Sequence, residues 1–282
     1  PHPPIMADPP RRSRLRELQM LELTDRVAAV VGAASGIGQA IAIALAEQGA
    51  VVECADVDTT GVEETVATIV AAGGTAKAST VDVRVSAEVD DLFARVVADR
   101  GRLDIAVGTP GINIRKPLVD YTDDDYTAVT DVNLRGSFHV LRGAGRIMVK
   151  QGGGSIIVIS SISSRAVEPG QVIYAGTKAA LAQMVRVLAA ELGPSGVRVN
   201  AIAPGPVETA LTVPIRASAA WAGAYADKVA LGRWARPAEI AGPAVFLASD
   251  AATYVNGEVL FVDGGWVDLD AQFADENAVG SS

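Results

Sequence analysis

Apolar and polar positions follow two different periods along this chain. Short apolar runs rich in valine, isoleucine and alanine fall at about 26–31, 50–56, 76–81, 103–107, 155–160, 196–203 and 258–262. Runs of that length predict strands buried on both faces, as in a parallel sheet. Between them, apolar residues recur at three- and four-residue spacing over about 39–48, 61–72, 87–100, 122–150, 172–192 and 237–247, which predicts helices. Gly49, Gly73-Gly74 and Gly193-Pro194 stop three of these, and Thr122 to Asp125 reads as a capping box opening the long one. Strand and helix therefore alternate, the pattern of an α/β fold with helices on both faces of a parallel sheet. Asn133 falls inside the long helix, where propensity disfavours it, so it is a candidate to line a site.

Val27 to Ala46 holds twenty residues without a charge, enough to span a membrane, but Gly32, Gly36 and Gly38 interrupt it. It reads better as strand, glycine turn and helix. With 282 residues, 49% of them hydrophobic, the chain can build one large domain, placed here at 21–267. Residues 1–20 read as a disordered basic arm carrying Arg11, Arg12, Arg14 and Arg16, with no apolar core of a secretory signal. Residues 268–282 read as a mobile acidic tail. Residues 207–235 are looser, hold Trp221 and Trp234, and are a candidate substrate lid.

A net charge of −9 argues against nucleic acid and anionic membranes as partners. Cys54 is the single cysteine, and His2 and His139 are the only histidines, so neither a disulfide framework nor a metal site is expected. The expected compartment is the reducing cytoplasm.

Three stretches carry candidate chemistry. The first strand runs into Gly32-Ala-Ala-Ser35-Gly36-Ile37-Gly38, and glycines at such a turn let a backbone approach a pyrophosphate at a helix N-terminus. The second strand ends in Asp56, eighteen residues after Gly38, where a dinucleotide fold puts the carboxylate for the ribose hydroxyls. An acid there repels a 2′-phosphate, and neither Ser35 nor Val57 is basic, which favours NAD over NADP. Finally, Tyr174 and Lys178 lie four apart on one predicted helix, and Ser161 ends the fifth strand. A phenol, with a pKa near 10, is a poor base at neutral pH, but a nearby ammonium favours its phenolate. With a hydroxyl to position an oxygen, the set suits proton transfer accompanying hydride transfer.

These motifs together resemble the short-chain dehydrogenase/reductase family over about residues 22–267. Gly32, Gly36, Ile37 and Gly38 match its glycine motif, Asp82-Val83 its adenine contact, and Asn133 its helix asparagine. Ser161, thirteen before Tyr174, with Tyr174 and Lys178, completes its catalytic set, and Pro204-Gly205 with Val207 and Thr209 matches its nicotinamide turn. The resemblance implies a seven-stranded sheet in the order 3-2-1-4-5-6-7, a homotetramer, and NAD(H)-dependent interconversion of a small-molecule alcohol and ketone. It also implies that Asn133 helps carry the proton to water. Within the family, Gly111-Ile-Asn-Ile-Arg115-Lys-Pro looks like the gluconate and deoxygluconate dehydrogenases, making Arg115, and secondarily Arg165, candidates for a substrate carboxylate. A sugar acid or polyol is the expected substrate. Two departures stand out: Val31 replaces the family's threonine, and Gly108-Thr109-Pro110-Gly111 replaces N-N-A-G. Weaker cofactor binding or a rebuilt loop would follow, and an NAD-binding scaffold or sensor with little turnover is the alternative function.

Overall fold

The computed structural model describes residues 20–268, so the arm apart from Met20 and the tail apart from Asp268 lie outside the described residues. The seven apolar runs form β1 (Val27–Val31), β2 (Val51–Asp56), β3 (Thr75–Thr80), β4 (Ile105–Gly108), β5 (Gly154–Ile159), β6 (Val197–Pro204) and β7 (Val259–Val262). They build one sheet in the order β3-β2-β1-β4-β5-β6-β7, as expected. Every pairing is parallel, with Val27 opposite Val51 and Ala28 opposite Ile105 in the registers flanking β1.

Alternate residues of each strand feed two separate cores, which is why the runs are apolar throughout. Val27, Ala29 and Val31 point to the side covered by α3 (Ser86–Arg100), α5 (Ser137–Gln151) and α6 (Val172–Leu192). Ala28 and Val30 point to the side covered by α1 (Gly36–Glu47), α2 (Thr59–Ala71) and α9 (Ala238–Ala248). Between β3 and β4 the chain crosses from one edge of the sheet back to the other side of β1. The strand order reverses there, and a crevice opens at the C-terminal ends of β1 and β4.

Two segments differ from the sequence pattern. The long helix expected over 122–150 is broken. The capping box does open α4 (Asp123–Thr130), but Asp131–Gly136 widens into a π-helical turn before α5 begins. A widened turn inserts a residue and re-aims side chains, and such turns gather at functional sites. Here it turns Asn133 fully inward. Its Oδ1 accepts from Ile112 N at 2.8 Å and its Nδ2 donates to Ile112 O at 2.9 Å. The side chain thus stands in for a neighbouring strand along the loop after β4. The second difference is the segment 207–235, which is helical rather than loose: α7 (Val213–Arg216) and α8 (Ala219–Lys228) lie within it. Its apolar residues are mostly exposed on α8, so helical periodicity was hard to read there.

Asn133→Ala leaves both polar groups of Ile112 without their partner. Two unsatisfied groups at ~1–3 kcal/mol each would cost about 2–6 kcal/mol, and the partial exposure of Ile112 puts the expected loss near the lower end. An unchanged melting temperature would show that water replaces the amide without loss.

Candidate active site

The site is assembled from strand ends. After β1 the backbone turns at Gly32, whose φ of +96° suits glycine. A Cβ on Gly38 would meet the Gly32 carbonyl at 1.9 Å, so this turn closes against α1 only without a side chain there. Ser35 is the N-cap of α1, and the unpaired amides of that helix's first turn face the crevice. Thr109 resolves the departure at 108–111. Its N donates to Val31 O at 2.8 Å and its hydroxyl to Gly32 O at 2.9 Å. The loop is rebuilt, and the tie between β1 and β4 is kept by a threonine.

A cavity of about 480 Å³ runs along this edge. Gly32, Ser35, Gly36, Ile37, Gly38, Asp56, Asp82, Val83, Tyr174, Lys178, Pro204, Gly205, Val207 and Thr209 all line it. At one end Asp56 accepts from Ala34 N at 3.0 Å and Asp58 N at 3.1 Å, which fixes the carboxylate across the glycine turn. Asp82 is held by Arg84, whose guanidinium lowers the carboxyl's pKa through hydrogen bonds of 2.6–3.0 Å. The glycine cradle and the acid at the end of β2 fit an elongated dinucleotide.

At the other end stand Ser161, Tyr174 and Lys178. Ser160 and Lys178 stitch β5 to α6. The Ser160 hydroxyl donates to Lys178 O at 3.0 Å, and Lys178 Nζ donates to Ile159 O at 2.8 Å. Tyr174, in the first turn of α6, has its ring centroid 5.7 Å from that ammonium. Burial pushes the phenol's pKa up, opposed by a hydrogen bond with Ser161 and by the charge of Arg115. Burial pushes Lys178 down to about 8. The expected lowering of the phenol by Lys178 is therefore not found in the protein alone: desolvation leads, and what opposes it comes from Ser161 and Arg115.

A second cavity, about 90 Å³, shares Ser161 and Tyr174 with the first and extends away from it. Asn113, Arg115, Glu168, Gln171, Tyr225 and Trp234 wall it. Arg115 reaches this cavity as the sequence suggested, but not as a free cation. It is ion-paired with Glu168 and donates to the Tyr225 hydroxyl at 2.9 Å. Arg165 does not line the cavity; it is exposed, 3.6 Å from Asp268, with its guanidinium over the Phe261 ring. Asn113, Glu168, Gln171 and Tyr225 were not read from the sequence. They come from three separate segments, and each looks like an ordinary polar residue in its own.

A family model described as enoyl-(acyl carrier protein) reductase matches residues 32–267. The 2-dehydro-3-deoxy-D-gluconate 5-dehydrogenase of Pseudoalteromonas atlantica is 38% identical, over 89% of this chain and 99% of its own length. The chain belongs to the short-chain dehydrogenase/reductase family. It is an oxidoreductase of the kind that acts on CH–OH groups. The D-threitol dehydrogenase of Mycolicibacterium smegmatis is also 38% identical, over 86% of this chain and 94% of its own. The crystal structure of a gluconate 5-dehydrogenase from Burkholderia cenocepacia, in complex with NADP and tartrate, superposes with a TM-score of 0.86. It is 34% identical and the match covers 90% of this chain and 99% of that one. Among the described residues, no helix is long and apolar enough to cross a membrane.

The buried ammonium makes a prediction that does not depend on the reaction. With a folded pKa of about 8 against 10.5 for the free side chain, the unfolded chain binds more protons between those values. The cost of burying Lys178 is therefore full below pH 8 and relieved as pH rises towards 10.5. Lys178→Met should raise the melting temperature of the protein alone by several degrees at pH 7, and by much less at pH 10. An equal shift at both values would mean that the ammonium carries no desolvation cost.

Proposed function

We propose that this protein is a NAD(H)-dependent oxidoreductase that interconverts a secondary alcohol and a ketone on a polyhydroxylated substrate, a sugar acid or polyol. The observation that carries the reading is the position of Ser161 and Tyr174, which are shared by a long, glycine-walled cavity and a short polar one. The residues of the first cavity would hold a dinucleotide, which when bound would supply the hydride acceptor, and Ser161 and Tyr174 would stand between it and the second cavity. In oxidation, Tyr174 takes the proton from the substrate hydroxyl as a general base. The Ser161 hydroxyl holds the same oxygen. Lys178, with its ammonium 5.7 Å from the Tyr174 ring centroid, would favour the phenolate by its charge and would hold a ribose hydroxyl of the bound nucleotide. Asn133 serves the proton path by holding the Ile112 peptide beside Lys178; a Cβ on Gly111, next in the chain, would lie 3.4 Å from Nζ.

Asp56 supports NAD. Its carboxylate is fixed at the end of the cavity by two backbone amides, with lone pairs left for ribose hydroxyls, and it would repel a 2′-phosphate. The solved relative holding NADP raises the other reading. Arg84 is the cation on that wall, but it is committed to Asp82. Arg115, at the far side of the short cavity, is the group a substrate carboxylate would meet only by displacing Glu168, and α7 with α8 forms the lid over it. A single free cysteine buried in β2 suits the cytoplasm. Tyr126, Phe138, Val149, Val172 and Val187 are all exposed on α4, α5 and α6 in the single chain, which supports assembly into a homotetramer.

NADH formation at 340 nm over a panel of sugar acids and polyols tests the reaction, the wavelength being about that of reduced nicotinamide. Tyr174→Phe should lower turnover by roughly 10²–10⁴ while NADH still binds. Turnover near wild type would remove Tyr174 from the mechanism, and a protein that binds NADH but never reduces NAD would favour the scaffold. Because the phenol must lose its proton to act as base, kcat/KM for oxidation should rise with pH, and that for reduction should fall. Asp56→Ala should erase the preference for NAD; a wild type that prefers NADPH would overturn that assignment. Light scattering showing a monomer at micromolar concentration would exclude the tetramer.

A further inference from the structure

The short cavity is lined by a chain of polar groups whose direction is fixed at one end. Glu168, ion-paired with Arg115, can only accept hydrogen bonds. The Tyr225 hydroxyl donates to it at 2.6 Å, and so does Gln171 through Nε2. With its amide nitrogen turned to Glu168, Gln171 presents Oε1 to Asn113, whose Nδ2 donates to it at 2.7 Å. Asn113 keeps the second N–H of its amide and, as its one side-chain acceptor, Oδ1. That oxygen is buried and has no partner. The other buried side-chain atoms without partners, among the described residues, are the Nε atoms of Arg142 and Arg216, which wall neither cavity. One carboxylate thus sets two amides and leaves a buried acceptor without a partner on a residue that walls the same cavity as Ser161 and Tyr174. A buried acceptor without a partner is costly, and a ligand that donates to it recovers that cost.

Charge and size narrow the ligand further. Arg115 and Glu168 cancel, so the polar wall is neutral as a whole. A substrate carboxylate would have to displace Glu168 from Arg115 to gain an ion pair. The volume, about 90 Å³, is well below the usual few hundred for a small-molecule site, which favours a short substrate.

We propose that Asn113 is a specificity-determining residue, accepting a hydrogen bond from the hydroxyl next to the reacting carbinol, so that the preferred substrate is a short, neutral vicinal diol rather than a sugar acid or an isolated alcohol. The proposal rests on the redox function above and selects within it. Glu168 is a positioning residue in this scheme: it orients Gln171 and Asn113 and keeps Arg115 from recruiting anions.

The test compares three substrates of one length: butane-2,3-diol, butan-2-ol and 2,3-dihydroxybutanoate. For wild type, kcat/KM with NAD should favour the diol over butan-2-ol by about a hundredfold, since a site built to bond a hydroxyl rejects the analogue lacking it. It should also favour the diol over the acid. Asn113→Ala, and Asn113→Leu, which fills the space, should both collapse the diol-to-alcohol ratio towards one. Glu168→Gln should raise kcat/KM for the acid relative to the diol by about tenfold, because Arg115 is uncovered. Ligand-observed NMR with Tyr174→Phe reads the same three affinities without turnover. If no substrate is oxidised but the diol still binds in preference, the redox reading fails and the selectivity stands. A wild-type ratio near one, a ratio that survives both Asn113 variants, or a wild-type preference for the acid would each overturn the proposal.

Discussion

The rest of the site depends on a lysine buried where a strand meets a helix. Lys178 is almost wholly enclosed, and its ammonium is held by the carbonyl of Ile159, the last residue of β5. The helix in turn is held by Ser160, whose hydroxyl takes the Lys178 carbonyl. Two bonds running in opposite directions thus fix where α6 starts against the sheet, and with it the height of Tyr174 above Ser161. Desolvation opposes this arrangement, as the lowered pKa of Lys178 records. The two apolar cores on either face of the sheet supply the stability that tolerates it. A residue that weakens the fold is kept where its charge lies beside the phenol, the usual compromise at a site built for chemistry.

Burial acts on the two titrating groups in opposite senses. It raises the phenol and lowers the ammonium, so both move towards their neutral forms. The protein alone therefore holds the proton on Tyr174 more firmly than water would. Ser161 and Arg115 pull the other way, one by a hydrogen bond and the other by charge. The pairing of Arg115 with Glu168 limits that pull, since the anion sits on the same guanidinium. The electrostatics of the Tyr174 oxygen and the polarity of the short cavity's wall are consequently not independent: a change at Glu168 reaches both.

Much of this was legible in the sequence, for a definite reason. Strands buried on both faces leave long apolar runs, and the glycine turn, Asp56, Ser161 and the Tyr174–Lys178 pair all sit at fixed offsets from strand ends. Their positions follow from connectivity, and the structure puts every one of them on the same crevice. Three things were not legible. The π-helical turn at Asp131–Gly136 leaves the local apolar pattern intact, so a continuous helix was the natural reading. Thr109 stands where the family has an asparagine, and only the geometry shows that its hydroxyl ties the β4 end to the Gly32 carbonyl. Arg115 was read as a free cation because its counter-ion, Glu168, lies more than fifty residues away in the chain. Isolated charges are easy to see in a sequence; their neutralisation by distant partners is a tertiary fact.

The same network ties the wall of the short cavity to α8. Tyr225 belongs to α8, and its ring lies between Trp234 and Trp266, with centroids 5.3 Å from each. Its hydroxyl reaches both Glu168 and Arg115. Burial, reinforced by the bond to Glu168, pushes that phenol up to about 12, so it remains a donor across the working range of pH. The apolar side of the ring is held by indoles and its polar end by an ion pair. Moving α8 away would separate all of these at once, and would leave Glu168 with one donor fewer while Arg115 gained freedom. Helix α8 and the polar wall thus form one cooperative unit, in which the ordering of the helix and the direction of the Asn113 amide are set by the same carboxylate.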